Sequence, residues 1–204
     1  MYLVIRRGAF SDLARAGELA GAAAVGCVRE FEGDEELAEW LPRPGKVVLR
    51  ARGGQWDAVR AEPHVLVGDP ENESVVALPP RRRSKRGPVL ERIQAMTSAL
   101  APPPSQAEAD PGALTYLVNP EVEMSSGKTL AQIAHAAVMA AERPELERWV
   151  ADGCPAQVVA PPPERFEELC RSDSLPLVAR VEDAGLTEVA PGTVTVLALP
   201  PGVR

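Results

Sequence analysis

This sequence is poor in aromatic residues and cysteines and has no long apolar run. Aromatic residues make up 4% of its 204 residues, which favours alanine-rich helices packed closely on a sheet. No apolar run is long enough to cross a bilayer, and the N-terminus lacks a signal-peptide pattern. Cys27, Cys154 and Cys170 are too few and too widely spaced for a disulfide framework or a zinc site. We therefore expect a cytoplasmic protein with reduced thiols and no membrane partner.

The charged residues are unevenly distributed. Apolar residues at 45% and charged residues at 25% indicate a globular chain with a formal net charge of −7. Residues 81–112 carry +3, whereas residues 1–80 carry −4 and residues 113–204 carry −6. Most of the positive charge that could meet a nucleic acid backbone lies in one run, Arg81–Arg86. Such a run is more often a solvated linker than a nucleic-acid contact, and both interpretations stay open at this point.

The chain consists of two similar halves. Tyr-Leu-Val occurs at residues 2–4 and again at 116–118, and Ala-Leu-Pro-Pro ends both halves, at 77–80 and 198–201. Shared order, spacing and endings indicate an internal duplication. We divide the chain into a first half (residues 1–80), a basic run with a helix and a proline-rich linker (81–112), and a second half (113–204).

The long helices of the two halves share an apolar face but differ on their polar side. In an ungapped comparison residues 12–27 lie opposite residues 126–141. Lys128, Gln132 and His135 fall on one stripe of the second helix, because offsets of four and seven residues return to the same side. The first half has Ala14, Glu18 and Gly21 at these positions. The comparison therefore predicts shared packing and a site in the second half alone.

Strands that alternate with helical patterns predict an α/β fold of two similar halves, each a small mixed β-sheet flanked by helices. In the second half we predict four strands near residues 114–119, 156–160, 176–182 and 193–199. We predict its helices near residues 126–142, 144–151 and 163–172. Between the halves, Pro88 begins a predicted helix through Leu100.

A loop between the last two predicted strands contains further polar residues. Gly185 and the Pro191-Gly192 pair mark tight turns that can hold Asp183, Thr187 and Thr195 in a fixed arrangement. A carboxylate beside hydroxyls can orient or deprotonate water. Asp and Thr in turns usually bond the backbone instead, so the loop alone is a weak signal.

Taken together, residues 124–136 and 183–195 resemble the type 2 peptidyl-tRNA hydrolases. The resemblance is carried by Met-Ser-Ser-Gly-Lys before the helix, Asp-Ala-Gly in the loop and Pro-Gly-Thr after it, and it covers residues 114–201. It implies a four-stranded mixed sheet flanked by helices, commonly in a homodimer. It also implies hydrolysis, without metal or cofactor, of the ester that joins a peptide to the 3′ end of tRNA.

The resemblance implies specific site residues. Lys128 and Asp183 match the catalytic lysine and aspartate of the family, and Thr187 and Thr195 match its two site threonines. The substrate-binding positions are Ser126, Gly127, Gln132 and His135. One departure is Leu186, which stands where the family usually has arginine.

Two further expectations follow from the duplication and the basic run. The first half could replace the second copy of a homodimer, which predicts a monomer that acts as an intramolecular pseudo-dimer, with a structural first half. The alternative function is a weakly active or inactive RNA- or protein-binding protein of the same fold, with Arg81–Arg86 as its basic contact. Salt-dependent tRNA binding without ester cleavage would favour that alternative.

Overall fold

A computed structural model describes residues 1–106, 108, 110–172 and 176–203 of the chain. The first half and linker contain β1 (Tyr2–Arg6), α1 (Leu13–Glu30), α2 (Glu35–Trp40), β2 (Val47–Ala51), α3 (Gly54–Arg60), β3 (Val65–Gly68), β4 (Ser74–Leu78), α4 (Gly87–Glu91) and β5 (Gln94–Ala95). The second half contains β6 (Leu114–Val118), α5 (Ser126–Ala141), α6 (Glu147–Ala151), β7 (Ala156–Val159), α7 (Pro163–Arg171), β8 (Ala179–Glu182) and β9 (Val194–Leu199). The strands and helices predicted for the second half are confirmed, with β8 beginning later than predicted.

The described strands form two separate mixed sheets with the same topology. The first has the order β3-β4-β1-β2-β5, and the second, taken from the opposite edge, has the order β8-β9-β6-β7. In the first sheet β1 pairs in parallel with β2 and antiparallel with β4, and in the second β6 pairs in parallel with β7 and antiparallel with β9; β5 is an additional edge strand of the first sheet. The predicted α/β fold of two similar halves is therefore confirmed.

The long helices α1 and α5 lie together between the two sheets. They pack against each other, and each also contacts the sheet of the other half. The inner cores are shared: Leu130 and Ala134 of α5 pack into the first half, and Val25 of α1 packs into the second. Shorter helices cover the outer faces, α3 and α4 on the first sheet and α7 on the second. Packing between the halves is thus part of the main core.

The two long helices begin with equivalent caps. The side chain of Asp12 accepts a hydrogen bond from the N–H of Arg15, and the side chain of Ser125 accepts one from Lys128, each three residues on. Aligned by their caps, the helices differ by 113 residues in numbering, and nearly all their buried positions coincide. The ungapped comparison was therefore wrong by one residue here. Arg15, not Ala14, is the counterpart of Lys128, and it pairs on the surface with Glu18 and Glu73.

The linker differs from the predicted helix. Helix α4 ends at Glu91, and residues 94–95 form the short strand β5 at the edge of the first sheet. The N–H of Met96 then bonds the carbonyl of Val48 at 2.9 Å. The apolar residues at 90, 93 and 96 are buried as a helix would bury them, but pairing with β2 satisfies the backbone instead. Residues 107 and 109 of the proline-rich linker lie outside the described residues.

Among the described residues, none of the helices is both long enough and apolar enough to cross a membrane.

Candidate functional site

Lys128 is the third residue of α5 and stands at the start of that helix. Its backbone N–H is capped by the hydroxyl of Ser125 at 3.2 Å. The preceding residue must be glycine, because a Cβ on Gly127 would lie 2.3 Å from the carbonyl oxygen of Met96. The linker therefore passes directly over the first turn of α5. This close approach fixes the position from which the lysine side chain extends.

Asp183 directly follows β8, where the pairing with β9 shifts register. Its backbone N–H donates to Thr193 and its carbonyl accepts from Gly192, which closes the base of the loop. Oδ1 of Asp183 accepts the N–H of Gly185 at 2.8 Å. Gly185 has a φ of 74°, and a Cβ there would collide with Pro191. The loop residues singled out in the sequence therefore hold the carboxylate in one orientation.

The side chains of Lys128 and Asp183 form an ion pair that joins helix and loop. The ammonium group of Lys128 contacts Oδ2 of Asp183 and also donates to Oγ1 of Thr187 at 3.0 Å. The side-chain amide of Gln132 donates to the same Oδ2. The lysine and aspartate side chains are 14% and 5% exposed. An ammonium group has three N–H donors, so one remains for an incoming oxygen.

Electrostatics keep the carboxylate ionised and the neighbouring imidazole neutral. Burial raises the pKa of Asp183, but hydrogen bonds from Lys128 and Gly185 and the charge of Lys128 outweigh it, so the pKa is below its ordinary value. Burial and, to a smaller extent, the charge of Lys46 lower the pKa of His135 to about 4, against the opposing charge of Asp183. Near neutral pH the site therefore has a carboxylate, an ammonium group and a neutral imidazole.

These groups line a cavity of about 610 Å³ between the two halves. Volumes of about 300–1,000 Å³ are typical of sites for small molecules. One wall comes from the second half and includes six of the predicted residues: Gly127, Lys128, Gln132, His135, Asp183 and Thr187. The opposite wall comes from the first half and linker, residues 43–48 and 95–97. The first half therefore encloses the site as well as packing behind it.

Two predicted site residues point elsewhere. The hydroxyl of Ser126 accepts the N–H of Leu100 at 2.9 Å and so attaches the linker to α5. Thr195 is fully buried in β9, and its hydroxyl donates to the carbonyl of Val181 at 3.3 Å. Neither is part of the cavity wall. In the structure both side chains form hydrogen bonds within the fold, and their catalytic and substrate-binding roles stay predictions.

Three charged residues of the cavity wall were not predicted from the sequence. Glu188 accepts hydrogen bonds from the backbone N–H and hydroxyl of Ser125. Arg43 and Lys46 come from the segment before β2 in the first half. The turn-rich sequence from Pro42 to Gly45 marks a loop there, but only the tertiary packing of the halves brings it to the site.

Three residues of the basic run that supported the alternative function are paired with acidic residues of the first half. Arg81 bonds Glu62 at 2.9 Å, Arg82 bonds Glu39 at 2.7 Å and Lys85 bonds Glu36 at 2.8 Å. Arg86 lies 5.2 Å from the ring centre of Tyr2. The three ion pairs offset part of the positive charge that a nucleic acid would meet.

Comparison with known proteins places the similarity in the second half. The family model described as peptidyl-tRNA hydrolase PTH2 matches residues 113–204. The peptidyl-tRNA hydrolase of Thermococcus sibiricus is 39% identical over 95 residues, which are 42% of this chain and 80% of that protein. That of Staphylothermus marinus is 38% identical over 96 residues, 42% of this chain and 78% of that protein. The human protein named mitochondrial peptidyl-tRNA hydrolase 2 is 39% identical over 98 residues, 44% of this chain and 55% of that protein.

Proposed function

Because the chain belongs to the peptidyl-tRNA hydrolase PTH2 family, we propose that it hydrolyses the ester between a peptide and the 3′ end of tRNA. The products are a free peptide carboxylate and a tRNA with a free ribose hydroxyl. The observation that carries the proposal is the ion pair of Lys128 and Asp183 at the wall of an open cavity. We propose that this activity serves translation in the cytoplasm.

Lys128 has the geometry to stabilise the negative charge that forms on the ester carbonyl oxygen. Two of its three N–H donors are taken by Asp183 and Thr187, and the third is available to that oxygen. The start of α5 adds its partial positive charge at the same place. Because the ammonium group is already held, little reorganisation is needed when the charge develops.

Asp183 positions the attacking water. Its Oδ2 is taken by Lys128 and Gln132, whereas Oδ1 accepts only the N–H of Gly185 among the described residues. A carboxylate oxygen has two lone-pair directions, so Oδ1 can accept a hydrogen bond from water. The lowered pKa of Asp183 makes it a weak base, which favours orienting the water. The Thr187 hydroxyl, which accepts from Lys128, is free to donate to water or to the ribose.

A single-turnover assay on a purified peptidyl-tRNA tests the proposal. We expect Lys128→Ala and Asp183→Asn to lower the rate of ester cleavage by about 100-fold or more, since each removes charge stabilisation or water positioning. Cleavage at the wild-type rate by both variants would overturn the assigned roles. Salt-dependent tRNA binding without cleavage by the wild-type chain would favour the binding-protein alternative.

We also propose that the chain is a monomer in which residues 1–80 take the place of a second subunit. The support is the common strand order of the two sheets and the packing of α1 on α5. Sedimentation tests it. A single-chain mass across the concentration range is expected, and a dimer of whole chains would contradict it.

A further inference from the structure

The first-half wall of the cavity contributes two cations that form no ion pair with any described acidic residue. Among the described residues of the wall, each acidic side chain already has a partner: Asp183 bonds Lys128, Glu182 bonds Arg180, and Glu188 bonds Ser125. Arg43 and Lys46 have no ion pair in the part of the chain that the structure describes. The cavity therefore has an excess of positive charge on the wall opposite the catalytic pair.

Lys46 is the more fixed of these two cations. Its ammonium group lies 4.7 Å from the ring centre of Trp40 and bonds the carbonyl of Pro44 at 3.4 Å. A cation over an indole ring is held in a defined position. The side chain is half-buried, whereas Arg43 is exposed. A preorganised, half-buried cation at a cavity wall is suited to an anionic ligand.

The residues around Lys46 do not fully stabilise the positive charge of its half-buried side chain. The N-terminal amine of Met1 bonds the carbonyl of Gly45 at 3.2 Å, and burial, with the charge of Lys46, lowers the pKa of that amine to about 5. Burial is unfavourable for the cation of Lys46 itself and lowers its pKa to about 7, and the charge of Glu142 opposes this shift. An anion in the cavity would compensate the cost of this burial.

We propose that Lys46 is a further substrate-binding residue, contributed by the first half, whose ammonium group binds a backbone phosphate at the 3′ end of the tRNA. The inference rests on the proposed function, because the scissile ester and the last phosphates of the RNA belong to one end of that substrate. Lys128 and Asp183 engage the ester from one wall, and Lys46 engages the adjoining phosphate from the other. The first half thereby helps to place the ester.

The binding of deacylated tRNA by the full chain, measured over a range of salt concentrations, tests the proposal without requiring cleavage. For Lys46→Gln we expect a Kd about tenfold higher and a plot of log affinity against log salt that is shallower by roughly 0.7, the value for one single-strand phosphate contact. Lys46→Arg keeps the charge and should retain the wild-type slope. An unchanged slope in Lys46→Gln would overturn the proposal.

A pair of substrates separates phosphate binding from catalysis. We expect Lys46→Gln to raise KM for peptidyl-tRNA with little change in kcat, and to cleave an N-acetylaminoacyl-adenosine, which has the same ester but no phosphate, at the wild-type rate. Equal losses on both substrates would overturn the phosphate role. If the wild-type chain cleaves neither substrate, the proposed function fails, while the salt slope still decides whether Lys46 binds RNA.

Lys85→Gln is the matched control. It removes the same charge from an exposed residue that pairs with Glu36 and lies outside the cavity wall. We expect its salt slope and kinetics to match the wild type. If Lys85→Gln weakened binding as much as Lys46→Gln, the effect would be one of total charge, and the specific role of Lys46 would be wrong.

Discussion

Glu188 accepts two hydrogen bonds from Ser125, one from the backbone N–H and one from the hydroxyl, each at 2.7 Å. The same hydroxyl accepts the N–H of Lys128 at 3.2 Å. One serine therefore caps the start of α5 and holds the loop that contains Asp183 and Thr187. The distance between the side chains of Lys128 and Asp183 depends on this connection as well as on their own ion pair.

Replacing Ser125 should affect stability and activity together. We expect Ser125→Ala to lower the free energy of unfolding by about 1 kcal/mol through loss of the cap. Glu188 of the loop also loses one of the two hydrogen bonds that it accepts from Ser125, and we expect kcat/KM for peptidyl-tRNA to fall about tenfold. Asp12→Ala is the control, since Asp12 caps α1 in the same way at 2.8 Å. It should cost similar stability in urea unfolding but leave kcat/KM near the wild-type value; equal losses of activity would contradict the argument.

Gly127 should not tolerate a side chain. In Gly127→Ala the new Cβ would lie 2.3 Å from the carbonyl oxygen of Met96. That oxygen belongs to the backbone, and the N–H of Met96 is hydrogen-bonded to Val48, so a shift would cost free energy. Overpacking of this kind costs about 1–3 kcal/mol. We expect a lower midpoint of urea unfolding and slower ester cleavage, because the turn that bears Lys128 must shift.

The control for Gly127→Ala is Gly54→Ala. Gly54 is the first residue of α3, and a Cβ there has no neighbour within 4 Å. Alanine is the better helix former, so we expect unchanged or slightly greater stability and wild-type cleavage. If Gly127→Ala kept wild-type stability and cleavage, the linker over α5 could shift to make room for the Cβ, and the prediction would be wrong.

The wall that carries Lys128 and Asp183 could be predicted from the sequence because its geometry is mostly local. The helical period puts Lys128 and Gln132 on one side of α5, and a hairpin loop brings Asp183 and Thr187 back beside the helix start. The orientation of Thr195 could not be predicted in this way. Its position in the motif does not reveal that its hydroxyl bonds within the sheet.

The opposite wall could not be predicted, because it depends on contacts between distant parts of the chain. The packing of α1 on α5 brings Lys46 to the site, and no local sequence pattern predicts that packing. The linker shows the same limit. Leu90, Ile93 and Met96 have a spacing that suits a helix, yet only Leu90 is helical, because the chain pairs with β2 instead.

The pKa of His135 predicts a specific loss of stability in acid. An unfolded histidine titrates near 6.5, whereas burial lowers the pKa of His135 in the fold to about 4. As the pH falls through this window the unfolded chain binds the proton first, so the free energy of unfolding decreases, by at most about 3 kcal/mol. We expect His135→Gln to show a smaller decrease between pH 6.5 and 4 in urea unfolding. At pH 8 histidine is neutral in both states, so a difference there measures packing alone; parallel curves would contradict the prediction.

Activity should depend on how the first half packs against the second. A Cβ on Gly17 of α1 would lie 2.8 Å from Cδ1 of Ile133 and 2.9 Å from Cγ2 of Val158, both in the second half. Gly17→Val should therefore lower the free energy of unfolding by about 1–3 kcal/mol and also slow ester cleavage, because it moves the wall that carries Lys46. Gly26→Val is the control: its neighbour, Val65 at 3.1 Å, belongs to the first half. If Gly17→Val lost stability but kept wild-type cleavage, ester cleavage by the second half would not depend on the position of the first half.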